Sequence, residues 1–67
     1  MRQPNRPPMN AQLDAIIVDD EAPAREVLHS QLERHCPFIR VIDQAPNARI
    51  GYDAIRSGRP HIVFVDI

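Results

Sequence analysis

Three aspartates stand at the ends of two apolar runs, and their chemistry is the sharpest signal in this chain. Ala15-Ile16-Ile17-Val18 is followed at once by Asp19-Asp20-Glu21, and His61-Ile62-Val63-Phe64-Val65 by Asp66. Carboxylates brought close together repel one another unless something offsets their charge. A hard divalent cation does so, and Mg²⁺ favours one or two carboxylates with water and phosphate oxygens completing its shell. A carboxylate beside such an ion can attack phosphorus and form an aspartyl phosphate. The ion then neutralises charge building on the oxygens of the transferred group. Asp66 stands alone at its strand end and is the nucleophile candidate, while Asp19 and Asp20, joined by Asp66, are the metal-ligand candidates. Acidic residues after a strand also serve as helix caps. The ion-binding reading is favoured by the combination of two adjacent acids, a third at the matching strand end, and no glycine-rich phosphate loop.

Elements must position these side chains. A continuous β-branched run reads as a strand buried on both faces, as in a parallel sheet. The carboxyl ends of such strands are where open α/β sheets bind their ligands. After the first strand, at 15–18, Ala22-Pro23-Ala24 opens a helix, since Pro suits the first helical turn. Asp20 or Glu21 is placed to cap it. Val27, Leu28 and Leu32 are its apolar anchors, Arg25, Glu26, Glu33 and Arg34 point elsewhere, and Pro37 ends it. The second strand is read over 38–42, with Arg40 marking an edge strand with one wetter face. Residues 43–47 read as a loop. Asn47 is placed to cap a second helix over 48–57, with Ile50, Ala54 and either Ile55 or Gly51 facing inward and Gly58 just past its end. The third strand spans 62–65.

The order is βαβαβ, which wants parallel strands with right-handed crossovers. Two sheet orders compete. In the order 2-1-3, a topological switch point lies between strands one and three, and the acidic pair faces Asp66 across one crevice. In the order 1-2-3 the two strand ends lie roughly 10 Å apart, too far to share one ion directly. The pocket needs the first. The third strand is more apolar than the second and should be the more central.

The bulk properties narrow the function classes. A chain of 67 residues makes at most one small domain. Residues 1–13 are proline-rich and polar and read as a flexible N-terminal arm, with the domain over 14–67. A net charge of -1 gives no electrostatic footprint for nucleic acid. Cys36 is the single cysteine, which excludes a disulfide framework and fits a reducing compartment. No apolar run is long enough to span a bilayer and there is no secretory signal, so the expected location is cytoplasmic, without membrane contact. His29, His35 and His61 lack metal spacing and read as surface or capping residues, Cys36 as a small buried hydrophobe, and Tyr52 and Phe38 as packing residues.

At this point the residues resemble a family. Ile16-Ile17-Val18-Asp19-Asp20-Glu21, the helix opening with Pro23-Ala24-Arg25, and the closing Ile62-Val63-Phe64-Val65-Asp66-Ile67 are similar to the receiver domain of two-component response regulators. The wording Asp19-Asp20-Glu21 with Ala24-Arg25 is most similar to receivers that precede a LytTR-type DNA-binding domain. The resemblance implies a flavodoxin-like α/β fold, Asp66 as phosphoacceptor, and Asp19 and Asp20 holding Mg²⁺ directly or through water. It implies a sensor histidine kinase as phosphoryl donor and control of transcription through an output domain. The chain would then not be an enzyme beyond catalysing its own modification.

The family pattern continues through further βα units, a hydroxyl residue after strand four and a Lys after strand five. This sequence contains no Lys. The expectation is therefore an incomplete receiver domain, its first half, that is at best a poor phosphoacceptor and touches DNA only through an output domain absent here. A bare edge on the third strand also predicts a homo-oligomer, by edge pairing or element exchange. Two rivals compete with this reading. A haloacid-dehalogenase-type phosphotransferase wants an Asp at the position of Glu21 and a catalytic Thr, and has neither. A receiver-like interaction or dimerisation module that is never phosphorylated is the alternative.

Overall fold

The computed structural model describes residues 12–66. The arm assigned to 1–13 lies, as far as residue 11, outside the described residues, and so does Ile67. Five elements follow in the expected order: β1 (Leu13–Asp19), α1 (Ala22–His35), β2 (Ile39–Ala45), α2 (Ala48–Gly58) and β3 (Ile62–Asp66). They form a three-stranded parallel sheet of order β2-β1-β3, which is the flavodoxin-like 2-1-3 arrangement. The continuous apolar run of β1 becomes the central strand, and Ala15, Ile16, Ile17 and Val18 are the most deeply buried stretch of the described residues.

Alternation along β1 assigns its residues to two faces. Ile16 and Val18 join Ala45 in a core that Ala54, Ile55 and Val63 complete from α2 and β3. Ile17 and Phe64 line a cavity with Leu28, so the opposite face belongs to α1. Gly51 explains how close α2 comes: a Cβ added there would lie 2.8 Å from Val18 Cγ2, so only a hydrogen fits. Asn47 caps α2 as its position predicts, its side-chain oxygen accepting from the Ile50 N–H at 2.9 Å.

Several local expectations are corrected. β2 does not end at residue 42. It continues through Asp43-Gln44-Ala45, because a register irregularity between the pairs Ala15↔Val41 and Ile16↔Asp43 absorbs an extra residue and realigns the ladder. Asp43 Oδ1 gives the Gln44 N–H a partner, which lets a polar pair occupy an edge strand. Gly58 is the last residue of α2, and the left-handed position falls on Arg59, with φ 47°. Glu21 is the N-cap of α1, but its side chain makes no capping bond. Val27, Ile50, Phe38 and Tyr52 are exposed rather than packed, and Arg56 lies over the Tyr52 ring at 5.7 Å. Within the described sheet β3 is an edge strand, as the 2-1-3 order requires, and is thus no more central than β2.

Candidate functional site

The 2-1-3 order brings the two acidic strand ends together. In the β1–β3 register Asp19 pairs with Asp66, so the two residues lie on the same face of adjacent strands, whose backbones run about 4.8 Å apart. Both residues line one open cavity of about 250 Å³, floored by Ile17, Val18, Leu28, Phe64 and Val65. The mouth is acidic and the floor apolar.

Asp19 is the more constrained of the two. It is 9% exposed, the one buried polar or charged residue in the described core. Its Oδ1 accepts from the Glu21 N–H at 2.9 Å. Its backbone carbonyl accepts from Arg25 Nη1 at 2.6 Å. The carboxylate is thus fixed through one oxygen, and its Oδ2 makes no hydrogen bond to a described residue. Asp66 is exposed at the end of β3. Asp20, the next residue after β1, is exposed and does not line the cavity.

Of the three predicted site residues, the fold therefore brings Asp19 and Asp66 to one cavity and leaves Asp20 at its outside. Among the described residues, no three His, Cys, Asp or Glu side chains gather closely enough to hold a metal ion by themselves. Two carboxylates with one fixed oxygen still fit the chemistry of Mg²⁺, which commonly takes one or two carboxylates and keeps several waters. Sequence reasoning alone does not find Arg25, which by type and spacing points away from the core. Its side chain turns back from the first turn of α1 to the end of β1. The Pro23-Ala24-Arg25 motif carries that signal, without the direction.

The histidines play local roles. His61 Nδ1 accepts from the Asp14 N–H at 3.0 Å, while the His61 N–H donates to the Asp14 carbonyl at 2.9 Å, closing the start of β3 onto β1. His29 meets Gln44 Nε2 at 3.1 Å and Glu33 at 3.7 Å across α1 and β2. Cys36 is half-buried at the C-cap of α1.

Known proteins bear on this arrangement. The chain is 34% identical over 59 residues to an uncharacterized response regulatory protein of Vibrio cholerae serotype O1, covering 88% of this chain and 23% of that protein. It is 45% identical over 56 residues to an uncharacterized response regulatory protein of Yersinia pestis, covering 82% of this chain and again 23% of the relative. The chain thus spans about a quarter of the length of the curated relatives it matches. No family model and no solved structure matches it. The sheet order is the flavodoxin-like one, and over most of its length the chain is similar to these two response regulatory proteins, which supports a response-regulator receiver reading.

Proposed function

We propose that this chain is a receiver that accepts a phosphoryl group on Asp66 from the phosphohistidine of a sensor kinase. The observation that carries this reading is the Asp19–Asp66 pairing across β1 and β3 at the mouth of one cavity. In the transfer, an Asp66 carboxylate oxygen attacks phosphorus, a phosphorus–oxygen bond forms and the phosphorus–nitrogen bond breaks. The departing imidazole keeps the bonding pair and takes up a proton. Asp66 is suited to this because it is exposed at its strand end. Asp19 is suited to holding Mg²⁺ because its carboxylate is buried and oriented, and Asp20 would reach the ion's shell through water. When bound, Mg²⁺ offsets the paired carboxylates' repulsion and the charge building on the phosphoryl oxygens.

The relatives' response-regulatory names support a sensor-kinase partner; a cytoplasmic setting and, in a longer protein, an output such as transcription control belong to the same proposal. No helix among the described residues is long and apolar enough to cross a membrane. A small-molecule acyl phosphate with Mg²⁺ tests the assignment. Intact-mass measurement should find one phosphoryl group, released by hydroxylamine and absent from Asp66→Asn. Labelling that survives Asp66→Asn contradicts it.

One observation favours a second reading, an unphosphorylated module that pairs with a copy of itself. β3 bonds β1 on one side only within the described sheet, and Val65 is 59% exposed. Such an edge accepts a further strand. Sedimentation of Asp66→Asn separates the two readings: the module reading requires self-association to persist with no label at all.

A further inference from the structure

We infer that Arg25 is a positioning residue for the Asp19 carboxylate, and that through Asp19 it sets the affinity of the site for Mg²⁺. This inference rests on the reading of Asp19 and Asp66 as a metal pair.

Three hydrogen bonds close the turn from β1 into α1. Arg25 Nη1 donates to the Asp19 carbonyl at 2.6 Å, the Glu21 N–H donates to Asp19 Oδ1 at 2.9 Å, and the Arg25 N–H donates to the Glu21 carbonyl at 3.1 Å. The β1–β2 register ends one residue earlier, at Val18↔Ala45. Asp19 still pairs with Asp66 of β3, and from the helix side the peptide after it is held by one long side chain. Its orientation determines whether the Glu21 N–H meets Asp19 Oδ1, and so which carboxylate oxygen remains free for a ligand. Arg25 is half-buried, and the structure gives it no ion pair with a carboxylate among the described residues. It acts on the backbone. Groups that orient a metal ligand in this way typically change metal affinity by 10–100-fold when removed.

The sign of the effect separates this role from a bland one. A guanidinium bound to the residue that ligates Mg²⁺ repels the ion, so removing its charge alone should tighten binding. Loss of positioning weakens it. Mg²⁺ affinity of the protein and of Arg25→Met is measured by calorimetric titration, with Arg25→Lys as the charge-retaining variant. The expected result is about 10–100-fold weaker binding in Arg25→Met and a smaller loss in Arg25→Lys. Without any metal, amide hydrogen exchange at Glu21 should quicken in both variants. Circular dichroism establishes that each variant is folded, and if Arg25→Met is not, Arg25→Lys alone decides the question. Unchanged or tighter Mg²⁺ binding in a folded variant, with Glu21 exchange unmoved, overturns the inference. Absence of Mg²⁺ binding by the unsubstituted protein would sink the metal reading instead, and the Glu21 exchange rates would still decide whether Arg25 holds the turn.

Discussion

Asp19 and Asp66 are register partners, each the last residue of its strand, and together they border the mouth of one cavity. The pairing follows from chain topology: α1 and β2 leave to one side of β1, α2 brings the chain back to the other, and β3 arrives beside β1. Two carboxylates 47 positions apart thereby become neighbours at one sheet edge. The two differ in burial: Asp19 is enclosed and hydrogen-bonded, while Asp66 is exposed.

The acidic pair after β1 should divide unequally. Asp19→Asn should weaken Mg²⁺ binding roughly tenfold or more, because it removes the oriented ligand. Asp20→Asn should cost less, because Asp20 lies outside the cavity. Titration calorimetry on the two variants checks the order, and equal losses would place Asp20 directly on the ion.

Gly51 and Gly58 should respond differently to alanine. At Gly51 the new methyl meets the branched, buried Val18 side chain at 2.8 Å, and relief requires moving the central strand. Overpacking of this kind costs about 1–3 kcal/mol, partly offset by about 1 kcal/mol of helix propensity. At Gly58 the methyl meets the end of the Ile42 side chain at 3.0 Å, and Ile42 is partly exposed and able to turn aside. Denaturant unfolding should rank Gly51→Ala as the less stable variant.

The two helix starts make a paired control. Asn47→Ala should destabilise by about 1 kcal/mol, since it removes the oxygen that accepts from the Ile50 N–H. Glu21→Ala should change stability by less than about 0.5 kcal/mol, because its side chain caps nothing. Thermal melts of both variants read the difference.

His61 should contribute as a backbone surrogate rather than as a ligand. Its Nδ1 occupies the place of a ladder acceptor for the Asp14 N–H, which requires the neutral ring with its proton on Nε2. His61→Ala should lose about 0.5–1.5 kcal/mol, and exchange of the Asp14 amide should quicken. His61→Asn, which keeps a short acceptor, should recover part of the loss.

Both acidic strand ends are legible in the sequence because they rest on strong signals, apolar β-branched runs and carboxylates placed where parallel strands finish; the sheet order follows only from requiring those acids to share one crevice. The Asn47 cap is equally plain, as an Asx residue directly before an amphipathic stretch. Elsewhere tertiary context decides. Asp43 and Gln44 are loop-forming types, and only pairing with Ile16 and Ile17 across a register shift makes them strand. Val27 fits a helical apolar stripe, yet α1 covers the sheet through Leu28 and Leu32 and leaves Val27 outside. Arg25 is charged, and its type alone assigns it to water, while a flexible side chain six positions from Asp19 has the length to reach back to its carbonyl.

The central claim, that Asp19 and the phosphoacceptor Asp66 share one Mg²⁺, is tested most directly by titrating Mg²⁺ while following backbone amide resonances. Saturable shifts should cluster at the ends of β1 and β3, at Asp19, Asp20 and Asp66, and should vanish in both Asp19→Asn and Asp66→Asn. Shifts that are absent, that centre on another part of the molecule such as His29 and Glu33, or that persist in both variants would contradict it.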